Sequence, residues 1–204
     1  MNQQDPWSMS VREFVDRAGS GQATPGGGST SALAAALGSA MTSMAAHLSH
    51  RERTSEQLEE IEKAEDEMNQ IVAESEKLMS EDMQNFAKYV QANKEAESKE
   101  DEALVQMTLQ TIEVPLRLME LGVRGLKIAR TIAEATREHV LSDLGIGIVM
   151  FEASVRAAYL TVRINLPTCQ DSRARENFSD RADRLMYEAE KLKELGLNEV
   201  MKRL

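Results

Sequence analysis

The chain has 204 residues, which suits one domain with a sizeable core, and its 34 acidic against 24 basic side chains give a net charge of −10. An acidic surface repels phosphate backbones, which argues against nucleic acid as a partner, and no stretch of about 20 apolar residues free of charge marks a membrane span. Aromatics are few while alanine, leucine and methionine are plentiful, a mixture that favours helices because unbranched side chains lose little rotamer freedom there.

The first six residues lack the basic and apolar blocks of a signal peptide, so a cytoplasmic location is expected. Ser8 or Ser10 caps a first helix through Ala18, and Ser10 with Glu13 has capping-box spacing. After the glycine-rich break at 19–28, a second helix is expected over 29–49. A third runs from Thr54, boxed by Gln57, to about Ala92. Its apolar residues Leu58, Ile61, Met68, Val72, Met79 and Phe86 recur at near-heptad spacing around Ser75. A polar turn at 93–100 leads to a fourth helix over 101–137, where Pro115 predicts a kink or split near Glu113. A fifth helix, from about Ser142 to just before Pro167, is apolar on nearly every face and therefore central or covered by a partner subunit. The lone Cys169 excludes an intramolecular disulfide and a thiolate metal cluster. A last helix carries the stripe Phe178, Ala182, Leu185, Ala189 and Leu192. These elements make one all-α domain over 1–204, a bundle of about five to seven helices.

The sharpest local feature is three glycines directly ahead of a helix. Helix N-termini leave backbone amides unpaired, and glycine permits positive φ and close approach of a ligand. Thr24 and Ser29 add hydroxyls on either side. No lysine follows, as a Walker loop requires, and no strand precedes, as a dinucleotide fingerprint requires. Two readings stand: a ligand site, or a tight structural turn. The helix that follows is rich in small residues, which suits close packing of neighbouring helices.

Thr24-Pro25-Gly26-Gly27-Gly28-Ser29, followed by Ala35-Ala36-Leu37-Gly38, resembles the cyclodeaminase/cyclohydrolase family. That family includes the cyclodeaminase half of formiminotransferase-cyclodeaminase and stand-alone methenyltetrahydrofolate cyclohydrolases. Asp82 with Phe86, Val114-Pro115-Leu116, Ser142-Asp143-Leu144 and Ile164-Asn165-Leu166 fall in the family's order, so the resemblance reaches from about Val11 to Glu190. It implies an all-α homodimer with a folate site near the subunit interface. It also implies one of two reactions: hydrolysis of 5,10-methenyltetrahydrofolate to the 10-formyl form, or closure of 5-formiminotetrahydrofolate with loss of ammonia. Neither needs a metal or redox cofactor in the family, and the sequence offers no obvious metal-ligand cluster. The chain departs from the pattern at Arg51-Glu52-Arg53, where a glycine and two basic residues are customary, and at Arg137 and Thr161, where asparagine is usual. These departures imply altered substrate preference or a non-catalytic, ligand-binding member.

Asp82 and Asp143 are the catalytic candidates. Asp82 occupies a seam position between Met79 and Phe86, where desolvation suits a carboxylate to proton transfer, or where a structural hydrogen bond holds it. Asp143 after Ser142 fits a helix N-terminus, and with the family pattern it also fits stabilisation of a cationic amidinium centre. The substrate-binding candidates are Thr24, Pro25, Gly26, Gly27, Gly28, Ser29, Arg53, Glu113, Ser142 and Asn165. Arg53, with Arg51, suits the glutamate carboxylates of a folate. Glu113 would share the charge work or sit exposed, and Asn165 would read a pteridine edge or cap its helix. His47, His50 and His139 form no Ser/His/Asp spacing, and the twelve methionines are core filler. The expected ligand is a reduced folate, with no cofactor and no metal.

Overall fold

The computed structural model describes residues 6–51 and 54–204. Six α-helices and no strand occur among them: α1 (Val11–Ala18), α2 (Gly27–His47), α3 (Ser55–Glu95), α4 (Glu102–Thr131), α5 (Leu141–Asn165) and α6 (Ser172–Met201). Local chemistry sets the starts. Ser10 and Thr54 form capping boxes with Glu13 and Gln57, while Asp101 and Asp171 each accept two backbone N–H bonds. Each cap satisfies donors the helix cannot, and is worth about 1 kcal/mol.

Helices α2 to α6 run alternately up and down, with α5 packed against α2, α4 and α6. By length and composition α5 would pass for a membrane span, yet half of its apolar window is buried against α2, α4 and α6. Glycines let its neighbours approach. A Cβ on Gly147 would lie 2.4 Å from Thr42 Oγ1 and 3.0 Å from the Gly38 carbonyl oxygen, so α2 and α5 cross almost backbone to backbone. Fully buried Phe151 fills the space beside Gly38 and Gly125; a Cβ on Gly125 would fall 2.3 Å from its ring. The outer helices are laced by ion pairs, including Arg124 to Glu67 and Glu74 and Arg181 to Glu113 and Glu120.

Pro115 does not split α4, which continues through it. Proline has no N–H to offer the carbonyl four residues back, which is that of Thr111. Asn165, at the end of α5, supplies the missing donor: its Nδ2 lies 2.8 Å from the Thr111 oxygen. A partner helix thus heals the ladder.

Three further expectations need correction. The buried seam of α3 is Ile61, Ala64, Met68, Ile71, Ser75, Leu78, Met79 and Met83, whereas Val72 is only half-buried and Phe86 is exposed. A straight helix turns in 3.6 residues, and over this length the apolar face drifts off a strict heptad. Helix α4 ends at Thr131 rather than Arg137, and the chain crosses to α5 through a 3-10 turn over Glu138–Val140. Finally, Ser142 is not the N-cap of α5; the helix begins one residue earlier, at Leu141.

Candidate functional site

The glycine loop meets α3 at one end of the bundle. Gly26 is the N-cap of α2, with Gly27 and Gly28 in its first turn, and no glycine among the described residues has positive φ. The glycines therefore serve close approach rather than a left-handed turn. A Cβ on Gly28 would lie 2.1 Å from Asp82 Oδ1: the carboxylate occupies the space a side chain would need. Ser29, fully buried, donates its hydroxyl to Asp82 Oδ2 at 3.2 Å, and its backbone N–H points to the same carboxylate. Burial drives the Asp82 carboxyl above the ordinary aspartate range, and the two Ser29 hydrogen bonds pull it partly back. The result is a carboxylate that is held in place yet reluctant to stay charged.

Asp82 opens on a pocket of about 160 Å³. Thr24, Gly26, Gly27 and Gly28 form one wall, and Asn85 and Phe86 continue the α3 wall from Asp82. Gln110, Thr111 and Val114 of α4 face Thr161 and Asn165 of α5. A carboxylate thus sits among the side-chain amides of Asn85, Gln110 and Asn165. Such a set can move one proton while reading the donor and acceptor edge of a planar heterocycle. A larger cavity of about 530 Å³ adjoins it along the same helices, lined by Tyr89, Lys99, Leu104, Thr108 and Cys169 among others. Tyr89 is one helical turn beyond Asn85, and Thr108 one turn before Thr111, so the two hollows are neighbours.

Of the residues singled out in the sequence, Thr24, Gly26, Gly27, Gly28, Asp82 and Asn165 line the pocket. Ser29 lies behind Asp82, and Pro25 is buried without lining the hollow. Asn165 commits its Nδ2 to Thr111, so only its carbonyl oxygen is left for a ligand. Glu113 faces the other way, bound through both oxygens to Arg181 at 3.1 and 3.3 Å. Ser142 and Asp143 stand at the opposite end of α5, about 33 Å from Asn165 at 1.5 Å per residue, so Asp143 does not converge with Asp82 within one chain. The same rise puts Arg51 beyond the far end of α2. Arg53 and Glu52 lie outside the described residues. Arg137 also sits at that far end, where its backbone N–H donates to Ser49 Oγ at 3.0 Å.

Asn85, Gln110 and Thr111 were missed as pocket residues. Asn85, three residues after Asp82, shares its face of α3, and this spacing was available in the sequence. Gln110 and Thr111 become visible only once α4 is laid beside α3.

A family model described as formiminotransferase-cyclodeaminase matches residues 10–184. The chain belongs to the formiminotransferase-cyclodeaminase family. Within it, the chain is 32% identical over 187 residues to the formimidoyltransferase-cyclodeaminase of Gallus gallus, covering 86% of this chain and 34% of that protein. The methenyltetrahydrofolate cyclohydrolase of Methylorubrum extorquens is 26% identical over 197 residues, covering 90% and 92% of the two chains. The crystal structure of formiminotetrahydrofolate cyclodeaminase from Thermotoga maritima superposes with a TM-score of 0.89 at 20% identity, covering 96% of this chain and 98% of that one. This establishes the family's all-α fold for the chain, which spans about a third of the length of the vertebrate relative.

Proposed function

We propose that this protein hydrolyses 5,10-methenyltetrahydrofolate to 10-formyltetrahydrofolate. The observation that carries the reading is the Asp82 carboxylate, held by Ser29 at the glycine-opened end of α2 and facing a pocket of amide side chains. The Methylorubrum cyclohydrolase, which this chain matches over nearly its whole length, supports hydrolysis; the Thermotoga cyclodeaminase, covered as fully, keeps ring closure as the alternative.

The chemistry needs one proton shuttle. Water adds to the amidinium carbon, forming a C–O bond, while Asp82 takes the proton released. The C–N5 bond then breaks with transfer of a proton to N5, the hydroxyl gives up its own proton, and one proton is released to solvent overall. A carboxyl raised by burial suits both directions of transfer. The larger neighbouring cavity would take the aminobenzoyl-glutamate tail, with Lys99 as the cation for its carboxylates.

The cyclodeaminase reaction uses the same parts: N10 attacks the formimino carbon and gives up its proton, Asp82 delivers a proton to the formimino nitrogen, and the bond from that nitrogen to carbon breaks to release ammonia. A third reading, folate binding without turnover, draws on Thr161, which lines the pocket where relatives carry asparagine. Loss of methenyl-folate absorbance with purified protein tests the leading reading. Ammonia release from formiminotetrahydrofolate selects the second, and folate binding with neither reaction selects the third.

We further propose that the protein pairs with a second copy through the outer face of α2 and α5. Leu37 and Met44 of α2, Leu48 just past its end, and Ile146, Val149, Leu160 and Ile164 of α5 are all exposed there, an apolar stripe of the kind that marks an interface. An antiparallel, two-fold pairing of this face is the arrangement in which Asp143 of the partner subunit approaches this chain's glycine loop.

A further inference from the structure

Away from the pocket, the C-terminal end of α2 and the start of α3 bring together the imidazoles of His47 and His50 with the carboxylate of Glu65. His50 Nε2 lies 3.0 Å from Glu65 Oε1, and His47 Nδ1 lies 3.5 Å from the same oxygen. All three potential ligand atoms fall within 4.8 Å of one another. A tetrahedral zinc ion sits about 2.0–2.1 Å from each nitrogen or oxygen ligand, which sets the ligand atoms about 3.4 Å apart. The two separations to Glu65 bracket that edge, the third lies within 4.8 Å, and the His47 side chain is exposed.

We propose that His47, His50 and Glu65 bind a divalent transition-metal ion of the zinc class. The donor set of two imidazoles and one carboxylate favours zinc, cobalt, nickel or copper over magnesium or calcium, which prefer oxygen alone. Three protein ligands leave a fourth position for water, and the exposure of His47 opens that position to solvent. The local backbone is already fixed: Ser49, between the two histidines, donates its hydroxyl to the Ala45 carbonyl and accepts the Arg137 N–H. His47 and His50 thus present their rings from a constrained helix end toward α3. An ion there bridges α2 and α3 at the end of the bundle opposite Asp82, so this inference stands apart from the folate reading.

The test uses the full chain, freed of metal with a chelator and titrated with zinc chloride in a calorimeter, with cobalt chloride as a spectroscopic probe and magnesium chloride as control. Saturable binding of one zinc per chain is expected, with a rise in Tm, a tetrahedral cobalt spectrum and no response to magnesium. His50→Gln and Glu65→Gln should each weaken zinc binding by at least the roughly 10–100-fold that loss of even a supporting group costs. His139→Gln, the remaining histidine, should leave it unchanged. Absence of saturable zinc binding overturns the proposal, as does binding that survives in both folded ligand variants. Circular dichroism of each variant separates loss of a ligand from loss of fold.

Discussion

Asp82 and Gly28 are two halves of one contact, and variants of each should separate chemistry from stability. Asp82→Asn keeps an acceptor for the Ser29 hydroxyl but cannot shuttle a proton, so turnover of the folate substrate should fall by about 100-fold or more. Stability should move the other way. The folded-state pKa of Asp82 is raised, so its contribution is most favourable when protonated and is lost as pH rises through that raised value. Asp82→Asn should therefore unfold at a higher denaturant concentration than wild type near neutrality, with the gap closing below the ordinary carboxylate range. A gap that widens toward acid would contradict the assigned shift. Gly28→Ala forces the carboxylate off the end of α2 and should cost activity in a protein that still folds, since Asp82 borders a hollow into which it can swing.

At the scale of helices, the joint between α4 and α5 rests on Asn165 and Pro115. Asn165→Ala leaves the Thr111 carbonyl without its donor and should cost about 1–3 kcal/mol. In a Pro115→Ala background the backbone N–H returns and the same substitution should cost much less. A double-mutant cycle by urea denaturation reads this directly, and additive effects would refute the pairing. Phe151→Ala, emptying the space beside Gly38 and Gly125, should cost about 3–5 kcal/mol. Much of this level was legible beforehand. Capping boxes at Ser10 and Thr54 and the sparse glycine and proline breaks gave element starts to within a residue or two. What stayed hidden was tertiary: no local rule shows that a proline's orphaned carbonyl will be met by an asparagine from another helix, so a kink or a split was expected, and the split does not occur.

For the whole molecule, the exposed apolar stripe on α2 and α5 should bury itself in a dimer. Sedimentation of wild type should give twice the chain mass, and Leu160→Glu combined with Ile164→Glu should give monomers. A monomeric wild type at working concentration would dismiss the interface. Should Asp143 of the partner subunit serve the pocket, mixing inactive Asp82→Asn and Asp143→Asn proteins would restore part of the activity through hybrid dimers. That the glycine loop and Asp82 matter was readable because they carry unusual residues at unusual places, and the fold brings them to one pocket. The displacement of Asp143 was not, because sequence order says nothing about which end of an antiparallel bundle a residue occupies. The placement of Glu113 was hidden for a related reason: its neighbour Pro115 marks the helix, but Arg181 on α6 decides where the carboxylate turns.

The fit between Gly28 and Asp82 has an evolutionary corollary. Since the acid fills the volume a methyl group would take, neither position is free to drift while the other stays as it is. A descendant that gained a side chain at 28 would gain nothing by keeping the acid at 82, so the two should disappear together, and a lineage retaining one without the other would mark a protein that has left this chemistry behind.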